Sequence, residues 1–477
     1  MKRESKPTRK GTKTDLPADP RRLALSVINR LESEDQILDL ILDDSAVQIG
    51  KLSKPDRNLF NELVFGVLRW RGRLDWIIGH FSKTPLKRIE PKVLNILRMG
   101  AYQIIYLTRI PDSAAVNTSV ELAKSDAPRW VTGFVNGLLR GISRDHLSVT
   151  LPDPEKNPAA AMAVEKAFPQ WLIRRWLDRF GTQGTSTRCD AVNTIPPISV
   201  RTNTLKTTRK QLLERLNSHV ESIRETAISP DGIVFRNPKL SIPSMKPFKE
   251  GLFQVQDEAA QLVSLLLDPL PGESVLDACA GLGGKTGHLA QLMRNQGTLL
   301  ATDKDEQKLR KLESEMKRLG VSIVKTCLHD FKKPLNEKHS GRFHRVLLDA
   351  PCSGIGVLRR NPDAKWSITE KDIERNRGRQ VELLSAVSGL VLPGGVLVYS
   401  VCSTEPEETE TVVDAFISDN GEFAVDKDFS GFSEPVRSIV NQDGYLITYP
   451  YRHEMDGFFC VRFKRTNRLD ASMSYFH

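Results

Sequence analysis

Apolar residues recur at helical spacing through the first third of this 477-residue chain. Leu23, Val27 and Leu31 repeat every four positions. Leu59, Phe60, Leu63, Val64, Val67 and Leu68 follow i, i+1, i+4, i+5, i+8 and i+9, a broad stripe on one helix. Pro91 suits the first turn of a helix carrying Leu94, Leu97 and Met99, and 116–122 and 131–139 read as two more. No strand pattern interrupts them, so residues 19–150 are expected to form an all-α domain. A Pro-containing linker follows at 151–158, then an amphipathic helix with Trp171, Trp176 and Phe180 on hand for packing. Ile198, Val200 and Thr202 then alternate with Ser199, Arg201 and Asn203 as on a strand. With a helix at 207–216 and strand candidates at 233–235 and 252–255, residues 160–255 read as a small α+β domain. From 256 to 466 strands (274–278, 298–303, 323–326, 345–348, 396–400) alternate with helices (285–293, 305–319), which predicts a doubly wound, Rossmann-like parallel sheet. An antiparallel pair at 446–448 and 458–463 closes it. Residues 1–18 and 467–477 lack periodicity and read as tails, the first basic and disordered.

Candidate chemistry lies at the carboxyl ends of the strands, where open α/β sheets bind ligands. The apolar run Arg345–Leu348 ends in Asp349-Ala-Pro-Cys-Ser-Gly354. Val396-Leu-Val-Tyr-Ser400 ends in Val401-Cys402-Ser403. The two cysteines are 50 residues apart (402 − 352), room for one crossover helix, so neighbouring strands would turn both thiols into one pocket. Free cysteine more often simply packs, and Cys189, Cys279, Cys327 and Cys460 keep that reading. Val275-Leu-Asp-Ala-Cys-Ala-Gly-Leu-Gly-Gly-Lys-Thr286 is strand, glycine turn and helix start. Glycine lets the backbone approach a ligand and leaves helix N–H groups free to bind it. A phosphate loop would need glycine at position 279, where cysteine stands. Asp303, at the next strand end, has the offset of a ribose-binding acid. NAD-dependent enzymes and S-adenosylmethionine-dependent methyltransferases share this layout.

Composition narrows the setting. A formal net charge of +10 suits a polyanionic partner. Arg69, Arg71, Arg73, the arginines of 174–179, and Arg201, Asn203 and Lys206 are candidate phosphate contacts, or else solvated faces. No apolar run nears the roughly 18 residues of a membrane span, and the charged start has no apolar region after it, so neither a membrane nor a signal peptide is expected. Six cysteines without a CxxC pair argue against zinc and against a disulfide framework. No metal and a reducing cytoplasm are expected.

Two resemblances add to this reading. Asp56-Arg57, Leu97-Arg-Met-Gly-Ala-Tyr-Gln103, Ile110-Pro111, Val116-Asn117 and Phe134-Val-Asn-Gly-Leu-Leu-Arg140 resemble the NusB family of RNA-binding helical domains. The methyltransferase motifs are Phe253-Gln-Val-Gln-Asp-Glu258, Asp277–Thr286, Asp349–Gly354, Arg359-Arg-Asn-Pro-Asp363, Tyr399–Ser403 with Pro406-Glu-Glu408, and Asp456-Gly-Phe-Phe459. In order and spacing they resemble the bacterial Fmu/Sun (RsmB) family of RNA cytosine-C5 methyltransferases. That family usually has Ala-Pro where Gly281-Leu282 stands, Thr at Val401 and Asn at Thr409.

The resemblance implies an enzyme that methylates 16S rRNA, free or in a partly assembled small subunit, with S-adenosyl-L-methionine as methyl donor and the protein a monomer. It makes Cys402 the nucleophile and has Cys352 assist product release. Sequence logic alone leaves the two thiols equivalent, because DNA cytosine methyltransferases use a Pro-Cys dipeptide such as Pro351-Cys352. Asp349 is placed to hydrogen-bond the cytosine N3/N4 edge. Cys279, Ala280, Gly281, Leu282, Gly283, Gly284 and Lys285, with Asp303, Asp330 and Asp349, are expected around the methyl donor, Asp330 near the adenine. Other targets (23S rRNA or tRNA) remain open. A non-catalytic RNA-binding assembly factor would need neither the second cysteine nor the ribose-binding acid. A small-molecule methyltransferase would not need a basic chain with two extra domains.

Overall fold

The computed structural model describes residues 19–34, 36–126, 129–333, 335 and 342–466. The two expected tails lie outside the described residues. The chain divides into two compact units, Met1–Asn157 and Pro158–His477. Among the described residues no helix is long and apolar enough to cross a membrane.

The first unit is helical throughout. Asp19 caps the helix Pro20–Ser33, and Ser53 caps the long helix Lys54–Phe81, each with proline in the first turn. The expected stripe becomes core: Phe60, Leu63, Val64, Val67 and Leu68 are buried. Arg98, 3% exposed, donates to both oxygens of Asp75 at 2.7 and 2.8 Å and to Glu32 at 2.7 Å. Two of the candidate phosphate contacts are turned inward. Arg69 follows Leu68 onto the broad buried face, and Arg71 pairs with Glu32 at 3.0 Å. Arg73 stays half-exposed.

The second unit begins with a helix where a linker was expected to end, Pro158–Lys166, followed by the long helix Gln170–Asn193. Next come β1 (Ile198–Thr202), β2 (Ser222–Glu225), β3 (Gly232–Arg236) and β4 (Phe253–Val255), an antiparallel sheet in the order β2-β3-β1-β4. Its polar residues do not face outward as the alternation suggested. Arg201, 1% exposed, donates to Gln254, Gln256 and the Gly284 carbonyl. Asn203 donates to the carbonyls of Gly251 and Leu319, and Lys206 to those of Glu250 and Arg318. Arg201 and Asn203, expected phosphate contacts, thus tie the small sheet to the helices Gly284–Leu292 and Glu306–Leu319, where buried carbonyls need donors, while Lys206 stays exposed.

The remaining strands are β5 (Ser274–Asp277), β6 (Thr298–Asp303), β7 (Val324–Leu328), β8 (Phe343–Asp349), β9 (Val391–Val401), β10 (Phe423–Val425), β11 (Tyr445–Thr448) and β12 (Phe458–Arg465). The order is β10-β12-β9-β8-β5-β6-β7, with β11 also paired to β12. Strands β5 to β9 run parallel, and β12 enters antiparallel beside β9. Strand β5 has β6 on one side and β8 on the other, so the winding reverses there. The crevice beyond the carboxyl ends of β5 and β8 is where such a sheet takes a ligand.

Candidate active site

Register brings the motifs together. Asp349 at the end of β8 pairs with Ser400 of β9, so the chain leaves both strands side by side, and Cys352 and Cys402 follow within a few residues. Their Sγ atoms are 3.1 Å apart, and both are free thiols. The hydrogen bond with Cys402, then burial, pushes the Cys352 thiol well above its usual range. Burial likewise raises the Cys279 thiol to about 12, so that it keeps its proton.

Asp349 is held from two sides: Ser400 Oγ donates to Oδ1 at 2.7 Å and Lys285 Nζ to Oδ2 at 2.6 Å. Lys285 was expected among the donor-binding residues; its ammonium lies on Asp349 and 5.3 Å from the centre of the Phe458 ring.

The glycine loop follows β5. Gly281 has φ 56° and Gly283 φ 82°, left-handed conformations that glycine adopts without strain. Gly281 N–H donates to Asp303 Oδ2 at 3.0 Å, and Asp303 Oδ1 accepts from Asp305 N–H at 2.9 Å. Leu282 is 52% exposed. Asp277, at the end of β5, is 1% exposed; its Oδ2 accepts from Thr286 at 2.7 Å while Oδ1 is buried without a partner. Asp330 is exposed beyond β7, and its carboxyl is held below the usual range by the Lys332 N–H it accepts. A nucleoside with a cationic tail fits this set. Open space surrounds Gly281, where an added Cβ would meet nothing within 4 Å, and Asp303 lies at the end of β6 beside this loop. Among the described residues no group of three or more His, Cys, Asp or Glu is placed to hold a metal ion.

Three other motifs hold the loops. Arg360 bridges Asp257 at 2.6 Å and Asp456 at 2.7 Å, while Arg359 also bonds Asp456. That ring joins Phe253–Glu258, Arg359–Asp363 and Asp456–Phe459. Gly457 N–H donates to the Gly356 carbonyl at 2.9 Å, and a Cβ at Gly356 would fall on the Gly457 carbonyl. Glu408, fully buried, accepts from the Ser353 N–H at 2.7 Å and from Ser353 Oγ, and its own carbonyl accepts from Tyr399. Sequence reading left Glu408 without a task, although the buried strand end just before Pro406-Glu-Glu408 marked it. It missed Glu405 altogether, which Arg175, Trp176 and Arg179 grip.

Comparisons with known proteins cover both units. The NusB family matches residues 18–144. A ferredoxin-like domain described as Methyltr_RsmF/B-like matches 168–241, and 16S rRNA methyltransferase RsmB/F matches 264–464. The chain is 34% identical over 447 residues to the probable ribosomal RNA small subunit methyltransferase B of Bacillus subtilis, covering 93% of this chain and 98% of that one. Ribosomal RNA small subunit methyltransferase B of Pseudomonas syringae pv. tomato is 35% identical over 371 residues, 78% of this chain and 81% of that one. The crystal structure of PH0851 superposes with a TM-score of 0.81 at 26% identity, covering 95% of this chain and 100% of that one.

Proposed function

Since the chain belongs to the RsmB/F family of 16S rRNA methyltransferases, we propose that it methylates C5 of a cytosine in small-subunit rRNA through a bond between Cys402 and C6. The observation that supports this reading is the pair of sulfurs 3.1 Å apart beside a carboxylate fixed by Lys285 and Ser400. Cytosine C5 is a poor nucleophile within an aromatic ring. Addition of the Cys402 thiolate at C6 breaks the aromaticity and makes C5 enamine-like, one hard step divided into easier ones. Asp349, oriented by Lys285 and Ser400, accepts from the base's amino group and from the proton that N3 takes up from water as C6 is attacked, a proton N3 gives back when C5 is methylated. C5 then takes the methyl group, which S-adenosylmethionine supplies as a sulfonium. A base removes the C5 proton, Cys402 leaves as thiolate, and the ring is restored; Cys352 assists this release.

Asp303 accepts the ribose hydroxyls of the donor, the loop 281–284 lies near its methionine end, and Asp330 near its adenine. The target base must be swung out of its stack to reach the thiols. The test is transfer of labelled methyl from S-adenosylmethionine to 16S rRNA and to assembling small subunits, followed by digestion to nucleosides. Label in 5-methylcytidine is the expected result. Label confined to 23S rRNA or tRNA would move the substrate, and no label in any RNA would favour an assembly factor.

A further inference from the structure

The arginines of the helix Gln170–Asn193 have an acid to hold, where phosphate contact was expected of them. Arg175 Nε donates to Glu405 Oε2 at 2.5 Å, Trp176 Nε1 to Oε1 at 3.0 Å and Arg179 Nη1 to Oε2 at 3.1 Å. Arg179 Nη2 adds a bond to the Thr404 carbonyl at 3.1 Å. Arg188, its guanidinium 4.9 Å from the centre of the Trp176 ring, donates to Thr404 Oγ1. Glu405 is 0% exposed and Thr404 4%.

A carboxylate buried this deeply survives as an ion only when its donors are in place. Burial alone would raise its pKa; Arg179, Arg175, Arg188 and Trp176 outweigh that and hold it below the usual range.

The clamp sits where the chain has just lost its strand partners. Val401 is the last residue of β9 in register with β12, opposite Phe459, and Cys402 is the next residue. On one side the segment 402–405 is pinned by the catalytic loop: Gly356 N–H donates to the Cys402 carbonyl at 3.0 Å, and Ser353 Oγ meets Ser403 Oγ at 3.4 Å. On the other side it has the helix Gln170–Asn193. The backbone that aims the Cys402 sulfur is therefore set by a side chain three positions on, gripped by residues more than two hundred positions away.

We propose that Glu405 is a positioning residue for methyl transfer: held by Arg175, Trp176 and Arg179, it fixes the segment that points the Cys402 thiol at C6 of the base. This rests on Cys402 being the nucleophile. It also predicts a division between binding and turnover, because Glu405 is fully buried and offers RNA and methyl donor no surface.

The test uses the full-length chain carrying Glu405→Gln, which keeps the volume and an acceptor for Trp176. Misaiming the nucleophile should lower kcat about tenfold to a hundredfold. KM for RNA and affinity for S-adenosylmethionine should stay within about twofold. An unchanged kcat overturns the inference. So does a raised KM for RNA at unchanged kcat, which would return these arginines to RNA binding. Should Glu405→Gln fail to unfold cooperatively, Arg179→Gln decides, since it removes the guanidinium from Glu405 and from the Thr404 carbonyl while leaving Glu405 in place: a lowered kcat supports the inference and an unchanged one overturns it. Cys402→Ala is run in parallel. Residual methyl transfer by that variant would sink the nucleophile assignment itself, whereas full activity of Glu405→Gln would sink the positioning role alone.

Discussion

Lys285 Nζ and Asp349 Oδ2 lie 2.6 Å apart, joining the helix that follows β5 to the end of β8. Burial would push the lysine pKa down, but Asp349 outweighs it and the ammonium is retained. Asp349 is thus oriented and balanced before any base arrives. Lys285→Met should leave that carboxylate without its cation at the reacting edge and lower kcat about a hundredfold. Affinity for S-adenosylmethionine, read by calorimetry, should fall less than about tenfold. Equal losses in both would make Lys285 a ligand of the donor instead.

The thiol pair predicts an asymmetry. The two sulfurs lie within hydrogen-bond distance, and with Cys402 as the proposed nucleophile the order of events separates their roles. Cys402→Ala should abolish methyl transfer and form no protein–RNA adduct. Cys352→Ala should stop the reaction after the bond forms and leave enzyme joined to methylated RNA, a slow band on a denaturing gel. The reverse pattern would make Cys352 the nucleophile.

The parts of this site that were legible in the sequence are those with a local signature. Buried parallel strands read as apolar runs, so β6 occupies the expected residues and β8 and β9 extend them by a few. The glycine turn and both strand-end cysteines announce themselves in the same way. Strand β2 did not, because Ser-Ile-Arg-Glu at a sheet edge buries only part of Ile223. Three-residue β10 has no room for a period. The Glu405 clamp was hidden for a different reason. Arginine on an amphipathic helix looks solvated unless its acid is known, and the acid lies 226 to 230 positions along the chain. Likewise, Arg201 and Asn203 alternate with apolar residues yet face the larger domain.

With so many cations turned inward, RNA affinity should rest on those that stay in solvent. Arg224 and Arg236 are exposed on β2 and β3 and line a groove of about 510 Å³ with Pro196, Pro197 and Phe235. The double substitution Arg224→Ala, Arg236→Ala should weaken RNA binding at low salt. It should also reduce the slope of log affinity against log salt by about one for each phosphate that is no longer neutralised. A slope equal to that of the unaltered protein would take this groove off the RNA path.

Stability should carry the mark of Asp277. Its carboxyl is raised to about 7, chiefly by burial; Thr286 and Lys285 oppose this, and Asp349 and Asp303 add to it. In the unfolded chain the same group titrates near 3.9. The folded state therefore binds the proton more tightly, and protonation favours folding. The contribution is whole below about pH 4, fades as pH rises toward 7, and is lost above that, where the buried carboxylate is ionised with Oδ1 unpartnered. The full span is at most about 4 kcal/mol. Asp277→Asn keeps an oxygen for Thr286 and cannot ionise, so it should be free of this decline. Thermal unfolding of both proteins from pH 5 to 9 should show the variant gaining on the unaltered protein up to about pH 8 and holding a constant lead beyond. The two proteins share every other titrating group, so curves that stay parallel from pH 5 to 8 would mean that Asp277 is already ionised in the fold at pH 5.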